Sequence, residues 1–513
     1  MKETVVKIQE KWKTEYSYSM IITFLIGLLT HLYKFANNLP NHDSLHNYYS
    51  NQNVLASGRW FLSFACGFSS YYDLPWINGV ISLLFIGLTV VVLLRLFDIK
   101  NKMLIILING LFITFPGITE TFFFEFTADG YMMAMFLSSL SVFFLVKCIE
   151  NKKKTISIIL SSALLCLSCG IYQAYVSFAL VLFICYFIWI VLKYNYEKKV
   201  YICYVVSMFL SLVIGLIVYY IIWKICMIAQ GVQADDYQGI SQVGSLNINT
   251  IISAPKSIAK DLGALVLEKN VLKYGLSLYA VFNILFIAFS VIIWLFAIVK
   301  SKVYQSVFKL VSIGICIFVL PFVICIWRFT SSEVIYGQRM LNCVIILYVF
   351  SLFLCSNYIK SNIYKLSVNF LVIATVFNLF IQANIAYYYL NYMYEKTYSE
   401  AIYLYSELND SLIEYGKNHK IAIIGNREDD VALDQDSEAN GSYLYTNIIQ
   451  KSLLTDEKHI KNYLKNVLYF DGDFADSDAM KKIELTESYA EMKPFFEYGD
   501  VKIINDVITI KLG

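Results

Sequence analysis

The chain is a succession of apolar runs, each of the length needed to cross a bilayer. About 30 Å of hydrocarbon calls for roughly 17–25 residues of helix, and runs of that size fall near residues 18–35, 77–97, 200–224, 276–299, 310–328, 338–356 and 365–387. Two stretches are longer. Met103 to Lys147 breaks at Phe115, Pro116 and Gly117 and carries Glu120, Glu125 and Asp129, so it reads as two spans joined by a loop. Thr155 to Leu192 is uncharged over about 38 residues, about 57 Å as one helix, and is flanked by lysines. It reads as a hairpin turning near Cys169 and Gly170. The total is eleven spans. Of 513 residues 58% are hydrophobic and 16% charged, against about 45–50% and 25% in soluble domains. Soluble, disordered, collagen-like and disulfide-scaffold classes are thereby excluded.

The net charge of +2 hides a split. Asn391 to Gly513 holds 23 acidic and 13 basic residues, leaving 16 and 28 upstream. Lysine and arginine cluster on alternate inter-span segments: the N-terminus, Arg95 to Lys102, Lys147 to Lys154, Lys193 to Lys199, Lys300 to Lys309, and Lys360 to Lys365. Positive loops stay in the cytoplasm, so the N-terminus is expected inside. An odd number of spans then puts the acidic tail outside. The first apolar run lacks a small-residue cleavage site and reads as a retained span.

Three domains follow: a cytoplasmic segment 1–17, a transmembrane catalytic part 18–390 with outside loops 36–76, 116–130 and 226–275, and an extracytoplasmic α/β domain 391–513. The first loop, aromatic and amphipathic, suggests helices lying on the outer leaflet. In the tail, Tyr394 to Tyr415 reads as helix and Lys420 to Ile424, Val467 to Phe470 and Val501 to Ile510 as strands. The eleven cysteines mostly sit inside apolar runs as small hydrophobes. Neither a phosphate-binding glycine loop nor a basic, aromatic groove for nucleic acid is found.

The densest polar group is Asn41, His42, Asp43 and His46, followed by Gly58, Arg59 and Trp60. A carboxylate at the membrane edge can take a proton from a hydroxyl, and an arginine can hold a phosphate. The plainer reading is a helix cap, with Asp43 or Ser44 opening a helix Leu45 to Leu55. Glu120, Glu125 and Asp129 lie among phenylalanines, and carboxylates near hydrocarbon are costly enough to be functional candidates. In a helix, Glu125 and Asp129 share a face. Arg328 and Arg339 flank a late loop where arginine can clamp a lipid phosphate or snorkel to the interface. Asp471-Gly472-Asp473 in the tail reads as solvated acidic surface.

The segments Asn41-His42-Asp43, Ser57-Gly58-Arg59-Trp60, Gly170-Ile171-Tyr172-Gln173-Ala174-Tyr175 and Tyr336-Gly337-Gln338-Arg339, in this order and topology, resemble the bacterial GtrII-type membrane glucosyltransferases, within the GT-C architecture. The resemblance covers most of Met20 to Asn391. It implies a polyprenyl-phosphate sugar donor, with glucose as the sugar, and transfer to a cell-surface glycan on the outer face of the cytoplasmic membrane. A flippase and a donor-making synthase are then expected partners. It places Asp43 as the catalytic base, His42, Glu120, Glu125 and Asp129 as supporting groups, Arg59 and Arg339 on the donor phosphate, and Trp60, Tyr172 and Gln173 against sugar or acceptor. The family pairs two acidic residues near the first-loop position, whereas Asp43 stands alone here. Divalent-metal dependence is left open. A transporter or flippase of lipid-linked glycans is the alternative, and it would put charged or broken-helix sites at mid-membrane.

Overall fold

The computed structural model describes residues 13–41, 43–44, 47–150, 153–234, 248–267, 278–330, 334, 336–427, 453–497 and 499–512. His42 and His46 lie outside the described residues. The chain divides into two compact units, one of Met1–Ala36 with Ser50–Asn384, the other of Asn37–Tyr49 with Ile385–Gly513.

The first unit is helical: α1 (Thr14–Ala36), α2 (Pro75–Phe97), α3 (Lys102–Thr114), α4 (Pro116–Phe123), α5 (Glu125–Glu150), α6 (Lys154–Ile171), α7 (Tyr175–Lys193), α8 (Lys198–Gln230), α9 (Ile248–Leu267), α10 (Leu278–Lys300), α11 (Val307–Ile324), α12 (Val344–Tyr358) and the first part of α13 (Asn362–Tyr415). Among the described residues ten helical segments are long and apolar enough to cross a membrane, and α3 with α4, bent by 42°, makes an eleventh. The bend has a local cause. Pro116 opens α4, and the residue before a proline is driven out of helical geometry; Phe115 accordingly has φ −59° and ψ 135°. A second break follows at Phe124, φ −108° and ψ 58°, so Glu120 and Glu125 sit on different helices.

Burial sorts the helices. The apolar side chains of α2, α5, α7 and α12 pack against one another, with Leu83, Ile86, Met132, Phe178, Leu182 and Phe350 fully buried. In contrast α8, α10 and α11 expose Phe209, Ile228, Ile292, Val307 and Phe318. Large apolar surfaces of this kind need a nonaqueous partner, and hydrogen-bonded helices are the form that a backbone takes in lipid. The protein is a polytopic helical membrane protein.

Several local expectations shift. The hairpin turn falls at Tyr172–Ala174, between α6 and α7, because α6 continues through Cys169 and Gly170 to Ile171. No helix spans Asn47 to Val54, so the proposed cap before Leu45 to Leu55 has no such helix to open; the 3-10 turn Leu55–Ser57 follows that stretch. Further along the 36–76 loop lie a short helix, Leu62–Cys66, and the 3-10 turn Gly67–Ser69.

The second unit has its own core, in which Ala401, Leu404 and Leu408 of α13 meet Ile421, Ile423, Leu464, Ile508 and Ile510. Its sheet has the order β1 (Lys420–Ile424), β3 (Val507–Lys511), β2 (Lys502–Ile504), with β1 and β3 parallel and β2 and β3 antiparallel. Val501 to Ile510 is therefore a hairpin. Asn505 and Asp506 turn it with φ 51° and 65°, the left-handed pair that a two-residue hairpin requires. Val467 to Phe470 forms no strand; Val467 ends helix α14 (Glu457–Val467), which Asp456 opens by accepting the His459 N–H at 2.9 Å.

Candidate functional site

The site of the first unit is built where two distant turns interlock. Gly58 has φ +81°, open to glycine, and a Cβ there would run into Tyr219 Oη and Gln173 Nε2. The close approach lets Gln173 Nε2 donate to Ser57 O at 2.8 Å and to Tyr219 Oη at 3.0 Å, while Tyr219 Oη donates to Gly58 O at 3.0 Å. Phe61 N–H donates to Gly170 O at 2.7 Å. The Ser57–Trp60 and Gly170–Tyr175 segments are thus one unit, with Gln173 as its tie.

Arg59 leaves this turn toward two stacked tyrosines. Its Nη1 donates to Tyr131 Oη at 2.9 Å, and its Cζ stands 5.0 Å from the centre of the Tyr172 ring. Tyr131 and Tyr172 are parallel at 4.4 Å. Burial pushes the Tyr172 hydroxyl up from its usual range, and the charges of Arg339 and Arg59 act against that. Arg339 therefore reaches the same tyrosine from the other end of the sequence. Its Cζ lies 3.7 Å over the Phe124 ring and its Nε 3.9 Å from Glu120 Oε1. Glu120 also accepts the Gln338 N–H at 2.6 Å. Gly337 permits this grip, since a Cβ there would meet Glu120 Oε1 at 2.5 Å.

Three buried donors here have no acceptor among the described residues: Arg59 Nε, Arg339 Nη1 and Trp60 Nε1. Buried polar atoms in native proteins are nearly always paired. Two guanidiniums with spare N–H groups, partly open to solvent and fixed by aromatic rings, are suited to an oxyanion such as phosphate.

A second charged group lies one residue past Phe124. Lys34, in the last turn of α1, pairs with Glu125 at the start of α5 at 2.5 Å, each side chain 2% exposed. Each helix end favours the charge it carries. Asp73, two residues before α2, joins them: burial pushes its carboxyl up to about 6, against the pull of Lys34. Asn78 Nδ2 donates to Glu125 O at 3.0 Å. Asp129 is fully buried on α5, accepts the Gly130 N–H at 2.8 Å, and faces Ser69 and Cys66. Although Glu125 and Asp129 share a helix, they serve different partners.

The structure thus gathers Arg59, Trp60, Tyr172, Gln173, Glu120 and Arg339, with Glu125 next to them. Arg328 is committed elsewhere, in a two-point pair with Asp261 of α9 at 2.7 and 2.9 Å. Asp43 belongs to the second unit, is partly buried, and its backbone carbonyl accepts Asn47 Nδ2 at 2.7 Å. Tyr48 of the same segment packs against the core of that unit. Among the described residues no three His, Cys, Asp or Glu side chains form a set that could hold a metal. Sequence reasoning missed Lys34, Asp73, Asn78 and Tyr131. Lys34 alone left a signal, as a lysine on the side of the membrane expected to be poor in lysine.

No curated protein and no solved structure matches the chain. A family model does: the one described as glucosyl transferase GtrII matches residues 32–337, more than half of the chain, a range that takes in both interlocked turns, Glu120, Glu125 and Gly337. On that match the chain belongs to the GtrII glucosyl transferase family.

Proposed function

We propose that this glucosyltransferase takes glucose from a polyprenyl phosphate and transfers it to a cell-surface glycan on the outer face of the cytoplasmic membrane. The observation that carries the reading is the pair Arg59 and Arg339, which border one buried tyrosine and keep spare N–H groups. A phosphate linked to a lipid is the anion that a site at the end of a transmembrane bundle would meet. The buried charges support an enzyme over a flippase. They gather where α1 ends and α2, α4 and α5 begin, whereas the buried polar group midway along α1, Ser19, Thr23 and Asn109, is uncharged.

In the transfer the acceptor oxygen bonds to the anomeric carbon, and the bond from that carbon to the phosphate oxygen breaks with its electron pair. Arg59 and Arg339 neutralise the phosphate as it leaves. A carboxylate takes the acceptor proton, for which the first-loop motif, read from the sequence alone, points to Asp43; Trp60 offers its ring face to the sugar. Charge placement supports an inside N-terminus and an outside tail. A donor synthase and a flippase supply the lipid-linked glucose.

The test is reconstitution of the full chain in proteoliposomes with polyprenyl-phosphate glucose and purified surface glycan. Glucose should appear on the glycan. Transfer only from a nucleotide sugar would overturn the reading.

A further inference from the structure

The same unit that holds the three unpaired donors also holds three unpaired acceptors. Asp73 Oδ1, Asn78 Oδ1 and Glu125 Oε1 are buried and have no hydrogen-bond donor among the described residues. They are neighbours, since the Asn78 amide is bonded to the Glu125 backbone and Asp73 couples electrostatically to Lys34 and Glu125. The chain links them to Arg339: its guanidinium lies over the Phe124 ring, and Glu125 is the next residue.

The two groups call for opposite chemistry. Spare N–H donors suit an anion, whereas spare carboxylate and amide oxygens call for hydrogen-bond donors, which the hydroxyls of a sugar supply. Lys34 is spent on Glu125 Oε2 and does not close Asp73. Asn78 and Glu125 are sealed in the protein; Asp73 Oδ1 is covered as well, but the Asp73 residue is partly exposed, so it is the member of the group that lies nearest to a ligand. A hexose bound to a phosphate carries its hydroxyls one ring away from the phosphate oxygens.

We propose that Asp73, backed by Asn78 and Glu125, is a hydroxyl-binding subsite that takes a ring hydroxyl of a hexose beside the phosphate held by Arg59 and Arg339. The hexose is either the glucose of the donor or the terminal sugar of the acceptor. The proposal rests on the transfer reading above, and Asp73 acts here on binding and sugar choice, apart from the proton acceptor.

The experiment pairs Asp73→Asn with deoxy sugars. Wild type and variant, each as the full chain in proteoliposomes, are given polyprenyl-phosphate glucose and its 2-, 3-, 4- and 6-deoxy forms, then acceptors with single deoxy positions in the terminal sugar. A lost hydrogen bond to a charged group lowers kcat/KM by about 10-fold to 100-fold, and Asp73→Asn should show that loss on the full substrates. With one deoxy analogue the loss should shrink to within about threefold, because wild type then lacks the same contact. A donor analogue identifies the donor sugar, an acceptor analogue the acceptor. An equal loss on every analogue means that Asp73 holds only water or structure, and overturns the proposal. Asp73→Ser serves the same cycle if the asparagine variant does not fold. If wild type transfers from no polyprenyl-phosphate sugar, the transfer reading fails, and the same comparison made by equilibrium binding of the deoxy series still decides the role of Asp73.

Discussion

Lys34 Nζ lies 2.5 Å from Glu125 Oε2, and each side chain is 2% exposed. Desolvation of two charges offsets most of their attraction, yet removing one partner strands the other. Lys34→Met should therefore lower thermal stability in detergent by about 3–5 kcal/mol. The double variant Lys34→Met with Glu125→Gln should recover most of it. Equal losses in the single and double variants would show that the pair is not coupled.

Gly58→Ala should uncouple the two interlocked turns. Alanine in the left-handed region costs about 1–2 kcal/mol, and its methyl would displace Tyr219 Oη and Gln173 Nε2. Activity should fall more than stability, because Arg59 is the next residue. Gly231, also left-handed at φ +64° but with nothing within 4 Å of an added Cβ, is the control. Gly231→Ala should cost stability alone.

Asp73 makes a pH prediction. Its carboxyl titrates near 6 in the folded protein against 3.8 for the free group. A raised value means that the folded state holds the proton more tightly. The stability this supplies is complete below about pH 4 and is lost as pH rises through about 6. Asp73→Asn should flatten the stability profile between pH 4 and 6, measured as the thermal midpoint across that range. An unchanged profile would contradict the burial of this carboxyl.

Asp43→Asn should leave expression and donor binding intact and reduce transfer by about 10²–10⁴-fold. Asparagine caps and hydrogen-bonds much as aspartate does, so a purely structural Asp43 would tolerate the change. Near-normal turnover would move the proton acceptor to another carboxylate.

The spans were legible because charge and apolarity alternate at the bilayer's length scale, down to the Pro116 break. The tail was less so. Val467 to Phe470 is apolar enough for a strand, but Asp456 opens a helix that consumes Val467. The Val501 to Ile510 run held a readable turn in Asn505-Asp506. At the site, Arg59, Trp60, Tyr172, Gln173 and Arg339 stand in motifs that could be read locally. Asp73 could not, and Lys34 showed only as a lysine on the lysine-poor side, since Glu125 is far off in sequence from both and no spacing rule joins them. Asp73 before Leu74-Pro75 looks like an ordinary helix entry.

The most direct measurement of the central claim is the affinity of the purified protein for polyprenyl phosphate without its sugar. Wild type, Arg59→Lys and Arg339→Lys are compared, each checked for unchanged thermal stability. Lysine keeps the charge and loses the forked donors, so each variant should bind about tenfold or more weakly, the loss of one charge-assisted hydrogen bond. Wild-type affinity in both variants would contradict the assignment of Arg59 and Arg339 to the phosphate.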